Sequence, residues 1–473
     1  MQNRGVSIDF FRSISIIRRI IEPKNQIEEH RKLFSNKELK SLIIPLFWEQ
    51  LLVMLVGIAD TLMISYAGEA AVSGVSLVNM FNTIFIYLFT ALASGGAVVV
   101  SQYIGNKEQK NGNLSTSQLM TVSFLFSTVM MTVILFSNKQ LLGLLFGRVE
   151  TDVMEACVTY LRISAYSFPA IAVYSAGAAV YRSMGRTKAT MVIAIAANVI
   201  NVIGNAIGIF VLHAGVAGVA YPSLIARLFS AVVIFALCFQ KKNAVFLRWK
   251  LMLTLKCDMI KRILHIAVPN GIESGLFQLA KVALSSITAL FGTAQIAANG
   301  VAQSFWSMAA LIGVAMGPAF ITVIGRCMGA GDAEAADYYM RKLLKITLAA
   351  SIVWNILIFT AVFPVIKLYA LSEETVQLVI PLVLIHNSFN ALFFPLAGPF
   401  PNGLRAAGDV KFPMYAALFT TVICRVALSV VFAIWLDMGV IGIAWAMCAD
   451  WMIKAVMMAL RYQSGKWKNY KVI

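Results

Sequence analysis

Acidic residues inside long apolar runs are the part of this sequence that could do chemistry. Asp60 lies in the run LLVMLVGIADTLMIS (residues 51–65), and Glu49 and Glu273 lie in similar surroundings. A charged side chain in the middle of a membrane costs about 2.5–3.5 kcal/mol on insertion scales, so each one requires a reason. A carboxylate there can exchange a proton, or pair with Na⁺, when its access to water changes. We therefore predict that Asp60 binds a coupling ion; the alternative is a helix-end Asp that only hydrogen-bonds to a neighbouring helix.

Polar residues on the same apolar segments are candidates for binding a substrate. Glu49 and Glu273 would make a negative cleft that attracts a cation, and the alternative is a pair of structural carboxylates bonded to neighbouring helices. Asn79, Asn82 and Tyr87 could line a cavity with Asp60, although hydrogen bonding between helices is an equal alternative for them.

The other ionisable residues within apolar runs favour structural roles. Asp450 and Lys454 are four residues apart and can pair on one face of a helix. Arg227 and Arg425 are interpreted as snorkelling residues or as members of ion pairs between the halves of the chain. His386 is interpreted as a satisfied core histidine rather than a pH sensor.

The composition indicates that membrane-spanning segments must position these residues. Of 473 residues, 59% are hydrophobic and 13% charged, and the mean hydropathy is +0.79. One globular core cannot bury so much apolar surface, so lipid must be the solvent for most of it. Segments of about 20 apolar residues are long enough to span a bilayer. Twelve such segments lie near residues 41–66, 75–103, 116–137, 155–180, 188–211, 216–239, 263–290, 297–325, 342–363, 376–400, 412–434 and 439–460.

The basic residues indicate a topology. Most of the 39 lysines and arginines precede the first span, follow even-numbered spans or follow the last one. By the positive-inside rule, both termini are then cytoplasmic and the protein lies in the inner (cytoplasmic) cell membrane. The net charge of +17 therefore reflects membrane topology and predicts no nucleic-acid partner. Residues 10–21, FFRSISIIRRII, predict an amphipathic helix on the membrane surface, with a disordered tail as the alternative.

The chain contains an internal repeat. IPLFWE (44–49) and VPNGIE (268–273) match at a separation of 224 residues, as do GVAGVA (215–220) and GVIGIA (439–444). The fold class predicted is an all-α membrane protein with twelve transmembrane helices in two pseudo-symmetric six-helix lobes. Pro45 and Pro269 occupy matching positions and are candidate hinges, because each removes a backbone hydrogen bond. The predicted segments are a cytoplasmic N-terminal segment (1–40), a first lobe (41–240), a basic linker (241–262), a second lobe (263–461) and a cytoplasmic tail (462–473).

Several segments together resemble multidrug and toxic compound extrusion (MATE) transporters. GIADTLMISYAGEAAVSGVSLV (57–78) is similar to the end of the first helix and the turn after it in that family, and FGTAQIAANGVAQSFWSM (291–308) to the junction of helices 7 and 8. YRSMGRTK (181–188) and LRAAGDVK (404–411) resemble its cytoplasmic turns. The resemblance covers roughly residues 40 to 460. It implies two lobes around a cleft and export of cationic or amphipathic compounds driven by Na⁺ or H⁺ entry.

The resemblance also assigns an ion site. Asp60 falls on the aspartate of helix 1 in the family, and Asn201 and Asn205 fall on its polar helix-5 positions. Some branches have Asp at Asn205, so one carboxylate of a full Na⁺ site is missing here. In one branch a second site uses a helix-7 glutamate and a helix-10 aspartate. Glu273 lies about one turn before the first of these, and the region of the second is apolar near Phe394.

These features together favour a secondary transporter over an enzyme. The sequence has neither a GxxxxGK[ST] phosphate loop nor an HExxH motif. Its six cysteines form no CxxC pair, so neither a zinc site nor a disulfide framework is indicated. We predict a monomeric efflux antiporter for small molecules, with H⁺ or Na⁺ as coupling ion and no cofactor. No certain metal site is predicted, and Asp60 is a candidate site for Na⁺. The alternative function is a flippase or exporter of a lipid-linked or other hydrophobic substrate on the same architecture.

Overall fold

The computed structural model describes residues 21–147, 149–367 and 372–473, so most of the segment predicted to be amphipathic (10–21) lies outside it. The first six spans are helices joined by short turns. They are α1 (Asn36–Ser65), α2 (Glu69–Gly105), α3 (Gln109–Phe146), α4 (Thr151–Ala165 and Phe168–Ser183), α5 (Thr187–Ala206, extended by a π-helical turn) and α6 (Ala217–Cys238).

The last six spans repeat this arrangement. They are α7 (Cys257–Thr288), α8 (Thr293–Ala309 and Leu311–Gly329), α9 (Ala333–Ile366), α10 (Glu373–Ala397 and Phe400–Ala406), α11 (Lys411–Ala417, then alternating π- and α-helical turns to Trp435) and α12 (Gly439–Gln463). In the described residues eleven of these are long and apolar enough to cross a membrane, and the two parts of α4, bent by 46°, make a twelfth. The all-α, twelve-helix prediction is confirmed.

The chain divides into two compact units. The first unit is Lys37–Gln278, and the second contains Leu279–Lys471 together with residues 21–36. Each has its own apolar core. In the first unit Phe85 stacks on Phe168 with ring centroids 4.9 Å apart, and in the second unit Trp306 stacks on Trp451 at 5.9 Å. Burial of such large aromatic side chains is a principal source of packing energy in each unit.

Glycines at matching positions show why the repeat folds in the same way twice. Gly68 and Gly292 precede α2 and α8 with φ of 102° and 85°, a conformation that side chains with a Cβ rarely adopt. Where α6 crosses the end of α5, a Cβ on Gly218 would lie 2.7 Å from the Gly208 carbonyl oxygen. At the matching place in the second unit, a Cβ on Gly442 would lie 2.6 Å from the Ala433 nitrogen. Both pairs of helices therefore need a glycine to approach so closely.

Candidate functional site

Asp60 lies near the end of α1 and belongs to a chain of polar side chains. Asn205 Nδ2 donates to Asp60 Oδ1 at 2.7 Å, and Asn201 Nδ2 donates to Ser223 Oγ at 2.9 Å. Asn201 and Asn205 are four residues apart, which places both on one face of α5. Asp60 is half-buried, whereas both asparagines are buried. The structure thus brings together the three residues predicted to bind a coupling ion; we refer to them with Ser223 as the Asp60 cluster.

Arg227 places a positive charge beside the Asp60 cluster. It lies one turn beyond Ser223 on α6, and its guanidinium donates to the buried Ser167 Oγ at 2.7 Å. Its charge acts on both Asp60 and Tyr160. Arg227 therefore interacts with groups of its own unit, in contrast to the snorkelling or between-halves roles that sequence analysis predicted for it.

The polar residues predicted on α2 have different surroundings. Asn79 Oδ1 accepts from the Tyr160 hydroxyl at 3.2 Å, so it is linked to a residue that experiences the charge of Asp60. Asn82 is buried and donates to Ser164 Oγ at 3.0 Å. Tyr87 is 40% exposed. Asn82 thus has the geometry of a bond between helices, which was the stated alternative, while Asn79 and Tyr87 are accessible.

Glu49 forms a buried ion pair. Only 3% of it is exposed, and its carboxylate accepts from Arg182 Nη2 at 2.5 Å and from the Thr190 hydroxyl at 2.9 Å. The Tyr174 hydroxyl adds a longer bond at 3.4 Å. A carboxylate with all these donors matches the structural alternative stated for Glu49. Removing one member of such a pair leaves the other charge buried without a partner, so the cost of its desolvation is no longer compensated.

Glu273 and the two candidate hinge prolines lie on α7 and α1. Glu273 is half-buried in the part of α7 that belongs to the first unit. Pro45 lies inside α1 and Pro269 inside α7, and both helices run continuously through their prolines. A continuous helix with an internal proline lacks one backbone hydrogen bond, so the hinge role stays a prediction.

The second unit holds a different kind of buried charge. Arg425 Nη2 lies 2.5 Å from Asp450 Oδ2, and both side chains are almost fully buried. Sequence analysis expected Lys454 as a partner of Asp450, and a snorkelling role or a pair between the halves for Arg425; the structure gives Asp450 a partner on α11, Arg425, within the same unit. His386 is buried nearby, and neither of its ring nitrogens has a hydrogen-bond partner. It does not have the satisfied hydrogen bonding that sequence analysis expected of a core histidine.

The donor set around Asp60 is compatible with a proton or a small hard cation. Such cations prefer oxygen ligands, and the cluster offers one carboxylate with amide and hydroxyl oxygens. The Asn205 Oδ1 atom is buried and lacks a hydrogen-bond partner. In the described part of the chain, no group of three or more His, Cys, Asp and Glu side chains could hold a metal ion. Within the Asp60 cluster, Asp60 supplies the carboxylate, and the other three residues supply neutral oxygen atoms.

Sequence reasoning missed Tyr160, Ser167 and Ser223. None of them is charged, so no insertion cost drew attention to them. Ser223 lies four residues before Arg227 on α6, and this one-turn spacing to a charged residue is the signal that could have found it. Ser167 and Tyr160 can be recognised as neighbours of the Asp60 cluster only when the bend in α4 is known.

The fold defines a polytopic α-helical membrane protein with a half-buried carboxylate on its first helix. The comparisons with known proteins identify its family. The MatE family pattern matches residues 45–207 and 269–431, one copy in each half, so the chain belongs to the MatE family. Members of this family are multidrug and toxin extrusion transporters, not enzymes, and the resemblance found in the sequence is confirmed.

Individual relatives agree with this assignment. The chain is 28% identical over 437 residues to the uncharacterized transporter YisQ of Bacillus subtilis, with 90% of this chain and 94% of the relative covered. It is 24% identical over 461 residues to the probable multidrug resistance protein NorM of Thermotoga maritima, with 95% and 96% covered. A solved MOP-superfamily transporter from Pyrococcus furiosus has the same fold, with a TM-score of 0.86, 18% identity, and 94% and 100% of the two chains covered.

Proposed function

We propose that this protein exports cationic or amphipathic small molecules by antiport with H⁺ or Na⁺, and that Asp60 is the coupling carboxylate. The observation that carries the proposal is the 2.7 Å hydrogen bond from Asn205 to Asp60. An ionised carboxylate in a membrane-spanning helix is costly, and this one is held by amides that offer both N–H donors and oxygen ligands. Ion binding neutralises the carboxylate and changes the free energy of the surrounding helices, which couples the ion to a conformational change.

The substrate is expected to contact accessible polar groups of the same unit. Asn79 and Tyr87 on α2 are exposed, and Glu273 on α7 adds a half-buried carboxylate that suits a cation. A relative that is described as a multidrug resistance protein supports this substrate class. In this proposal Asn82 positions α2 against α4, and Glu49 fixes α1 through its ion pair with Arg182.

The topology and oligomeric state belong to the same proposal. We place both termini in the cytoplasm and the chain in the cell membrane, since the basic residues cluster at the ends that this topology puts inside. We expect a monomer to be sufficient for transport, because each unit has its own apolar core and the Asp60 cluster is built within one unit.

Transport by purified protein in proteoliposomes tests the proposal. Efflux of a cationic dye is measured with an imposed H⁺ gradient and, separately, with an imposed Na⁺ gradient. We expect one gradient to drive dye movement in the wild type and neither to do so in Asp60→Asn. The matched control is Asp152→Asn, the same change at an exposed position at the start of α4, which should retain wild-type transport. Equal gradient-driven transport by correctly folded Asp60→Asn protein would show that another group couples the ion.

A further inference from the structure

The chain segment before α1 is held tightly by the second unit. We define residues 21–35 as the N-terminal strap; they belong to the second unit, and the chain enters the first unit at Lys37. The carboxylate of Glu22 accepts from Lys342 Nζ at 2.9 Å and from the Tyr338 hydroxyl. The Glu22 carbonyl accepts from Lys345 Nζ at 2.9 Å. The start of the strap is therefore fixed to one face of α9.

A second group of contacts fixes the end of the strap. Arg31 forms two bonds to the Asp332 carboxylate, at 2.9 and 2.6 Å, and a third to Glu334 at 2.5 Å. Asp332 also caps α9 by accepting from the Ala335 nitrogen at 2.9 Å. Phe34 exchanges two hydrogen bonds with the buried Tyr339 hydroxyl, through its own nitrogen and carbonyl, at 2.9 and 2.7 Å. Phe34, two positions before α1, is thus hydrogen-bonded to the second unit.

The first unit holds the segment before α7 in a corresponding way. We define residues 241–256 as the central strap; they belong to the first unit, and α7 passes into the second unit only at Leu279. Gln118 on α3 donates to the carbonyls of Leu251 and Thr254 at 2.5 and 2.8 Å and accepts from the Lys256 nitrogen at 3.0 Å. Thr121 donates to the Met252 carbonyl at 3.0 Å.

The residues that hold the two straps are related by the repeat. At the separation of 224 residues seen in the family match, Lys342 and Lys345 on α9 correspond to Gln118 and Thr121 on α3. Each strap therefore precedes the first helix of one half of the chain and lies on the third helix of the other half. The chemistry differs in one respect. Ion pairs help to hold the N-terminal strap, beside the neutral bonds between Phe34 and Tyr339, whereas hydrogen bonds without an ion pair hold the described residues of the central strap.

We propose that the N-terminal strap is a releasable ionic latch on the start of α1, the helix that carries Asp60, and that the central strap is its permanent counterpart. Ion pairs exposed to water are weakened by salt and by protonation, whereas hydrogen bonds between neutral groups are not. The Arg31 and Asp332 side chains are 32% and 21% exposed, and Glu334 is 71% exposed. Loss of the ion pairs weakens the hold on the start of α1 while the neutral Phe34–Tyr339 bonds stay, and we expect this to speed the conformational cycle in which Asp60 changes its access to water.

The pKa values of the strap carboxyls, Glu22 and Asp332, are shifted in the direction that a latch closed at neutral pH requires. The Arg31 guanidinium holds the pKa of Asp332 below its usual value. Burial opposes ionisation of Glu22, but the hydrogen bonds from Lys342 and Tyr338 outweigh it and leave its pKa lowered. A lowered carboxyl pKa in the folded state stabilises the contact above the ordinary carboxyl pKa of about 4, and the stabilisation is lost as pH falls further. The latch is therefore closed at neutral pH.

Amide hydrogen exchange of the full-length protein in nanodiscs tests the latch directly. At pH 7.5 we expect Arg31→Gln to speed exchange of the amides at residues 31–35 by about tenfold, as expected for the loss of two ion pairs, and to leave residues 246–256 unchanged. Lys24→Gln is the matched control, because Lys24 is an exposed strap residue outside these contacts. The conservative variant Arg31→Lys, which keeps the positive charge and leaves the Asp332 cap of α9 intact, should retain slow exchange. Unchanged exchange in Arg31→Gln, or equal acceleration of both straps, would overturn the proposal.

A transport measurement tests the consequence for α1. We expect Arg31→Gln to raise gradient-driven turnover about two- to fivefold, since conformational steps set the rate of many such cycles, and Arg31→Lys to keep the wild-type rate. Turnover that does not change while the strap is released would contradict the coupling to α1. This measurement rests on the proposed function, whereas hydrogen exchange does not, and Asp60→Asn should leave strap exchange unaltered.

Discussion

The two units place their intramembrane charges differently although they descend from one repeated pattern. In the first unit α1 contributes Asp60 and α5 contributes Asn201 and Asn205. At the repeat separation of 224, the second unit has Leu284, Arg425 and Ser429 in their places. Arg425 is neutralised by Asp450 within the protein, whereas no side chain lies within ion-pair distance of Asp60 in the described residues. The duplicated scaffold is thus the same in both units, whereas at these compared positions only the first unit has a carboxylate, and that carboxylate has no ion-pair partner among the described residues.

The largest expected effect separates Asp60 from its repeat partner. We predict that Asp60→Asn lowers gradient-driven transport by about 100-fold or more, since the exchangeable charge is gone. Leu284→Asn introduces the same side chain at the matching place on α7 and should stay within about threefold of the wild type. Transport is measured in proteoliposomes, after the folded fraction of each variant has been determined by size-exclusion chromatography. If both variants lost transport equally, the asymmetry between the units would have no functional meaning.

The next effect concerns stability and distinguishes a buried ion pair from a hydrogen-bonded arginine. We predict that Arg425→Gln destabilises the protein by about 3–5 kcal/mol, because the buried Asp450 loses its guanidinium partner. Arg227→Gln should cost about 1 kcal/mol, since it removes the hydrogen bond to Ser167 without breaking an ion pair of the same kind. Thermal unfolding in detergent, followed by intrinsic fluorescence, provides the measurement.

A double variant provides the control for the buried pair. Arg425→Gln combined with Asp450→Asn removes both charges, so most of the lost stability should return. Additive losses in the double variant would mean that the two residues act independently, contrary to their 2.5 Å contact.

Glycine substitutions test whether the scaffold itself is symmetric. Gly218→Ala and Gly442→Ala should each destabilise by about 1–3 kcal/mol, because the added methyl group meets backbone atoms of the preceding helix. Gly300→Ala on α8 is the control, since a Cβ there meets no atom within 4 Å; it should be neutral or stabilising by up to about 1 kcal/mol. Thermal unfolding again gives the measurement. A large loss in one of the first two variants only would show that the close helix crossing is needed in one unit alone.

The sequence was sufficient to predict the helices, their number and the repeat. Apolar runs must span lipid as helices, and glycines such as Gly68 and Gly292 appear at matching turns because the chain has to reverse there. The position of Asp60 beside Asn205 was predictable through the family resemblance. These features depend on local composition and on the regular separation of the repeat, both of which can be read from one sequence.

The partners of the other charges could not be predicted in the same way. Glu49 bonds to Arg182 and Thr190, which are more than 130 residues away, and Asp450 pairs with Arg425 rather than only with a neighbour on its own helix. Spacing along one helix identifies candidates for i,i+4 pairs and carries no information about the adjacent helix. The N-terminal strap was unexpected for the same reason, since Arg31 and Asp332 are brought together only by the folded unit.

The smallest expected effect compares the two straps at low pH. We predict that the N-terminal strap loosens as pH falls below about 4, because Glu22 and Asp332, whose pKa values are lowered in the folded protein, lose only there the negative charges that stabilise their contacts. A spin label at the exposed position of Gln26 should gain mobility over this range, as measured by electron paramagnetic resonance. A label at Lys250, an exposed position of the central strap, should not respond, because amide and hydroxyl groups hold that strap.

Both labels are introduced with the accessible Cys257 and Cys424 replaced by Ser. Raising the salt concentration at pH 7 should mobilise only the label at position 26. Equal responses of the two labels would show that the ionic and neutral straps do not differ in the way their contacts indicate.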